Sequence, residues 1–214
     1  MEPQSLTVPT LPAGAGLELR AWRIADTGVL REAAADPYIP LVTTVPAEYD
    51  DAAGRAFVER QWAKAGRGSG YPFVIVDAAE QRPVGFVGLW PKEDGRASLG
   101  YWTVGSARGR GVAGNGLRAV SRWAFEELRL ARLELYIEPW NTGSVRTAER
   151  AGFRREGRLR QWRTVGGERR DMDVYALLAT DPVDGESAEG RGVVQALAGP
   201  RRHLATPVPP GATG

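Results

Sequence analysis

The sequence predicts a mixed α/β domain, a mainly antiparallel sheet flanked by helices. Three observations predict it. Alternating runs and helix-period runs follow in the order strand, two helices, three strands, helix, strand, helix, two strands, which is not a repeated βα unit. The three consecutive strands are joined by short connections, as antiparallel neighbours can be. Finally, 214 residues with 43% hydrophobic content support one ordinary core plus chain ends.

Each element has a local reason. Residues 1–16 hold three prolines and little periodicity, and read as an N-terminal extension. Residues 17–22, Leu-Glu-Leu-Arg-Ala-Trp, alternate as a half-buried strand does. Ala25, Asp26 and Thr27 can cap a helix that Asp36-Pro37 stops near Ala35. A second helix starts within 46–51 and runs through Lys64, with Phe57, Val58 and Trp62 as apolar contacts. The glycines of 66–70 end it. Strands at 71–77 and 83–90 form a hairpin through 78–82, and 91–96 leads into a third strand ending at Val104. The helix at 113–128 puts Leu117, Val120, Ala124 and Leu128 on one face. A strand at 132–137, a short helix at 144–151 and strands at 153–159 and 170–178 complete a domain over 17–183. Residues 184–214 are rich in Gly, Ala and Pro and are expected to form a disordered or lightly docked tail.

Composition excludes several chemistries. Cysteine is absent, so disulfides, thiolate metal sites and a cysteine nucleophile are out. The single histidine, His203, lies in the tail, which removes a Ser-His-Asp triad or a histidine-held metal, and no metal is expected. No apolar run approaches a membrane span and no secretory leader is evident, so the expectation is a cytoplasmic protein with no membrane role. A net charge of +2 argues against a nucleic-acid binder. Arginines do concentrate over 146–170, but Glu149, Glu156 and Glu168 are interleaved with them. That reads as a solvated mixed-charge face, with one or two arginines left for a phosphate.

The turn Arg108-Gly109-Arg110-Gly111-Val112-Ala113 carries the most information. It joins the strand ending at Val104 to the helix at 113–128. Glycines let the backbone bend so that amides converge at the helix start, where the dipole adds to them. Such a turn suits the pyrophosphate of a nucleotide-derived cofactor. Gly109, Gly111 and Gly114 also satisfy the GxGxxG dinucleotide pattern, and Glu134 lies 20 residues beyond Gly114, at the ribose-binding spacing. Three features oppose that reading. Residues 105–108 separate the strand from the first glycine. Glu134 sits inside an alternating strand. Too little chain follows for the rest of a doubly wound sheet.

Gly100-Tyr101-Trp102, this turn, and Asn141-x-x-Ser144 followed by Gly152-Phe153-x-x-Glu156-Gly157 together resemble the GNAT superfamily of acyl-CoA-dependent N-acetyltransferases, and within it the RimJ/RimL type. The resemblance covers about 17–180 and implies the GNAT fold. It implies acetyl-CoA as co-substrate, held by the backbone of Arg108, Gly109, Arg110, Gly111, Val112 and Ala113. Trp102, Thr103 and Val104 would offer backbone groups to the pantetheine arm where two strands part, and an amide close to Trp102 would polarise the thioester. Asn141 would bind the arm and Ser144 would donate to the departing thiolate; by themselves these two read equally as a turn residue and a helix N-cap. The acceptor implied is a primary amine, a protein N-terminus or a small molecule, and a homodimer is compatible with it.

One departure matters. The RimJ/RimL type carries a glutamate, the favoured general base, where this chain has Ser98. Glu93, Asp94 or Tyr101 acting through water, or an amine already neutral, are the remaining sources of proton removal. Ala148 stands where other superfamily members place a tyrosine, in keeping with Ser144 taking that task. Acceptor specificity is expected from 36–51 and from a loop at 159–170, with Tyr38, Tyr49 and Trp162 as walls. A cofactor-binding regulator without turnover and a dinucleotide oxidoreductase are the alternative functions.

Overall fold

The computed structural model describes residues 5–181; the tail expected at 184–214 lies outside them. Eight strands form one sheet in the order β1-β2-β3-β4-β5-β6-β8-β7. These are β1 (Leu11–Pro12), β2 (Leu17–Ala21), β3 (Tyr71–Asp77), β4 (Arg82–Pro91), β5 (Arg96–Thr103), β6 (Arg132–Ile137), β7 (Arg154–Val165) and β8 (Glu168–Leu178). Every neighbouring pair is antiparallel except β5 and β6. Five α-helices lie among the described residues: α1 (Gly28–Ala34), α2 (Ile39–Val42), α3 (Asp51–Gly66), α4 (Val112–Glu126) and α5 (Thr142–Arg150).

The sheet alternation sorts side chains onto two faces. On one, Phe57 of α3 packs edge-on against Trp22 at 5.1 Å, and Trp22 and Trp102 continue the cluster to Phe86. On the other, Trp123 of α4 meets Tyr71 at 4.8 Å and Phe73 at 5.7 Å. Leu117, Val120 and Ala124 of α4 are buried as its apolar stripe requires, while Leu128 lies just past the helix and is partly buried. Trp62 differs from its expected role. It is 45% exposed on α3 and donates its indole N–H to the Trp22 carbonyl at 2.8 Å.

Three local outcomes differ from the sequence reading. Leu11–Pro12 pairs with β2, and the Leu6 amide donates to the Ala65 carbonyl at 2.9 Å, so the segment read as an extension contributes an edge strand. Asp26 does not simply begin a helix. It is buried in a two-pronged bond with Arg20, at 2.7 and 2.8 Å, at a 3-10 turn before α1. The expected 159–170 loop is instead the end of a long β7–β8 hairpin, with an irregularity between Leu159 and Arg163. Its alternation is masked because nearly all of β7 is exposed. Among the described residues, no helix is long and apolar enough to cross a membrane.

Candidate active site

Strands β5 and β6 pair at only three positions, Arg96–Arg132, Ala97–Leu133 and Ser98–Glu134. Beyond Ser98 they part, and a gap opens between Trp102 on one lip and Glu138 on the other. Backbone polarity in this gap follows from the antiparallel β4–β5 ladder. Lys92 donates to the Arg96 carbonyl at 2.8 Å and Val104 to the Val84 carbonyl at 3.2 Å. The two-residue alternation between those bonds turns the amides of Ser98, Gly100 and Trp102 toward β4. Those of Tyr101 and Thr103 face the gap. Trp102 spends its own amide on the ladder, so the amides turned to the gap beside it are those of its neighbours. Val104 likewise gives its N–H to Val84, and its carbonyl accepts from Ala107 at 3.0 Å, so it has little left for an arm.

The Trp102 indole builds the wall instead. It stacks on Phe86 at 6.0 Å, and Trp90 extends the aromatic floor at 6.2 Å from Phe86. Gly88 and Gly100 pair opposite each other beneath the Trp90 ring. A Cβ on Gly88 would come within 2.7 Å of that ring, so the floor depends on the absent side chain.

The turn into α4 has Gly109 and Gly111 in the left-handed region, at φ 73° and 75°. Gly111 is the residue before the helix, and no side chain caps the first amides of α4. Those donors, from Val112 and Ala113 onward, are free for an anion. Arg110 is exposed. The Arg108 side chain turns away, to Asp36 at 2.6 Å and the Thr103 carbonyl at 3.2 Å, so only its backbone belongs to the turn. Asp36 in turn accepts from the amides of Tyr38 and Ile39 at 2.8 and 2.9 Å. These bonds and Arg108 outweigh burial and hold its carboxyl below the usual range. Arginines of 146–170 divide similarly. Arg155 and Arg158 each reach Asp173 at 2.8 Å, Arg163 donates to the Val42 carbonyl at 2.9 Å, and Arg170 pairs with Glu168. Arg146 and Arg150 are exposed on α5.

Asn141 caps α5, its side-chain oxygen accepting from the Ser144 amide at 3.1 Å. Ser144 is therefore the third helical residue and not the cap. Its hydroxyl lies 2.7 Å from the Tyr101 hydroxyl, which also reaches the Ser144 carbonyl at 3.0 Å. Burial pushes the Tyr101 phenol up to about 12, against the Ser144 hydrogen bond, so it stays protonated at neutral pH and is no base. Either hydroxyl can be the donor in this pair; where the phenol gives its proton to the serine oxygen, the serine O–H is left to donate into the gap.

A cavity of about 440 Å3 opens here, lined by Ser144, Tyr101, Asn141, Trp102, Tyr38 and Glu138 among others. Glu138 is the residue that the sequence reading missed. The residue is 3% exposed. It accepts from the Tyr38 hydroxyl at 2.7 Å and the Trp140 indole at 2.8 Å. Burial and Glu138 together push the Tyr38 phenol well above its ordinary value. The signal was present: Glu134, Tyr136 and Glu138 continue one face of the alternating strand past its last paired residue. Glu93 and Asp94 lie on the exposed β4–β5 turn and do not line the cavity. Glu134 is engaged by Arg132, Lys92 and Tyr136 at 2.8, 3.2 and 2.8 Å, so a ribose would compete with a satisfied carboxylate. Tyr49 packs beneath Arg31, away from the cavity. Trp162 is exposed and stacks on Tyr136 at 6.2 Å. Among the described residues, no group of acidic and histidine side chains could hold a metal ion.

Comparison with known proteins bears on this geometry. A family model described as an acetyltransferase (GNAT) domain matches residues 16–154. A probable N-acetyltransferase of Bacillus subtilis (strain 168), YjcK, is 36% identical over 114 residues, 52% of this chain and 63% of that protein. An uncharacterized N-acetyltransferase of Bacillus licheniformis, p20, is 26% identical over 76% of this chain and 92% of its own. Among solved structures, Mycobacterium smegmatis RimJ in complex with CoA-disulfide superposes with a TM-score of 0.69 at 28% identity, covering 80% of this chain and 87% of that one.

Proposed function

The chain belongs to the acetyltransferase (GNAT) family, on its RimJ/RimL-like side, and from that premise we propose that it transfers an acetyl group from acetyl-CoA to a primary amine. The amine nitrogen attacks the thioester carbon directly. The carbon–sulfur bond breaks, the acetyl group stays on nitrogen, and CoA leaves as a thiolate. No covalent enzyme intermediate is required.

In this reading, the backbone from Arg108 through Ala113 holds the phosphates, and the gap-facing groups of Thr103 with Asn141 hold the arm. The amide of Tyr101 polarises the thioester oxygen. Ser144, backed by Tyr101, donates to the thiolate. Glu138 faces the acceptor amine and takes the proton that the new bond releases, a task that Ser98 cannot perform. The observation that carries the reading is the two-sided gap: a hydroxyl pair at 2.7 Å and a buried carboxylate both border one cavity between parting strands. The CoA compound bound to the RimJ relative supports the same ligand class. The acceptor is a protein N-terminus or a small amine.

Glu138→Gln keeps the shape and removes the charge. With product followed by mass spectrometry on a panel of peptides and small amines, it should lower kcat/KM by roughly 10²–10⁴-fold, the usual span for a positioned base. Undiminished turnover, with an alkaline rise that simply follows each acceptor's own ionisation, would assign proton removal to solvent.

A further inference from the structure

The acceptor cavity has opposite chemistry at its two ends. The β4–β5 ladder gives its long axis, from the Trp90–Ser98 pair to the Phe86–Trp102 pair. Four residues at about 3.3 Å each make that span about 13 Å. The Trp102 end carries the buried carboxylate of Glu138 together with Tyr38 and Asn141. The middle is aromatic, with Phe57, Phe86 and Trp90 in the lining.

The Ser98 end is different. Lys64, in the last turn of α3, is part of the lining, and the chain that follows it leads to this end. Its carbonyl accepts from Ser69 at 2.9 Å, and the next residue, Gly70, abuts the Trp90 indole so closely that a Cβ would stand 2.8 Å from it. Lys64 is half-buried, and its ammonium donates to the Gln61 side-chain oxygen at 3.2 Å. Among the described residues it has no carboxylate partner. The other cation in the lining, Arg163, is already held by the Val42 carbonyl. Burial, with Arg60 and Arg67 alongside, holds the Lys64 ammonium below its ordinary value. A desolvated cation without a counter-ion is costly, and an anion brought to it by a ligand removes that cost. Ser98 adds a hydroxyl to the same lining.

We propose that the acceptor is a primary amine with an apolar, flat body that ends in a carboxylate, the amine at Glu138 and the carboxylate at Lys64 and Ser98. This rests on the transferase reading above and narrows its acceptor.

The test uses aminomethyl-phenylalkanoates of increasing chain length, each beside its own uncharged carboxamide, with acetyl-CoA and the full chain. The carboxylate member should be acetylated with at least tenfold higher kcat/KM at the chain length that spans the cavity. That ratio should fall toward one in Lys64→Met and return in Lys64→Arg, which separates loss of charge from loss of packing. Equal rates for both members in the wild type, or an unchanged ratio in Lys64→Met, would overturn the proposal while leaving the transferase intact. Absence of transfer to either series and to every amine of the wider panel would overturn the transferase reading and this proposal with it.

Discussion

Ser144 owes its position to Asn141. Because the asparagine caps α5, the serine hydroxyl is released from capping and points to Tyr101 at 2.7 Å. Ser144→Ala should therefore lower kcat by roughly ten- to a thousandfold with little change in acetyl-CoA affinity, since the bond to the thiolate strengthens only as the carbon–sulfur bond breaks. The melting temperature should hold, whereas loss of a true N-cap costs about 1 kcal/mol. Parallel kcat and melting measurements on the one variant check both halves. A stable variant with normal turnover would remove Ser144 from the chemistry. Glu134 gives a second residue-scale prediction of a different kind. Burial alone would raise its carboxyl, but Arg132, Tyr136 and Lys92 lower it to about 2, against about 4.3 for an unperturbed glutamate. A depressed carboxylate stabilises the fold fully above its unfolded value and loses that contribution as pH falls through the folded one. Acid unfolding followed by circular dichroism should thus show stability draining between about pH 4.3 and about pH 2. Glu134→Gln should be less stable at neutral pH and lack that part of the slope.

The turn into α4 is the element on which ligand binding turns. At Gly111, φ of 75° suits glycine and strains any β-branched residue. Gly111→Val should weaken acetyl-CoA binding at least tenfold, about 1.4 kcal/mol, by tilting the free amides of Val112 and Ala113. Calorimetry showing unchanged affinity would move the phosphates elsewhere. Elements like this one were legible because their residues permit few alternatives. The strand Arg132–Ile137 has the bounds that its alternation marks out, and Tyr71–Asp77 those read for it between the glycines of 66–70 and the hairpin turn at 78–82. The short α2 was not legible, since four residues hold no helical period and its start is held by Asp36, which accepts from the Tyr38 and Ile39 amides under a tertiary brace from Arg108. Nor was the reach of β7, whose exposed arginines and Trp162 break the apolar alternation. At the site, the motif residues were readable, but which amides face the gap depends on ladder phase. The burial of Glu138 depends on Tyr38, a hundred residues away in sequence.

Across the molecule, the site follows from topology. One parallel junction in an otherwise antiparallel sheet requires a crossover, and α4 supplies it between β5 and β6. The two strands then share only three paired positions before diverging, and the crossover helix begins at the anion turn beside the gap. Arg108 ties that turn to Asp36, which holds the start of α2 and the backbone of Tyr38. Ligand turn and acceptor wall are thereby coupled. Asp36→Ala should raise KM for acetyl-CoA and for the acceptor together, and steady-state kinetics varying each substrate would show it; a rise confined to one would break the coupling. The central claim is that this split and its turn form an acetyl-CoA site. Titration calorimetry of the chain with acetyl-CoA and, separately, with NAD tests it most directly. Saturable binding of acetyl-CoA at one per chain, with no heat from NAD, is the expected result. Binding of NAD without binding of acetyl-CoA would contradict the account.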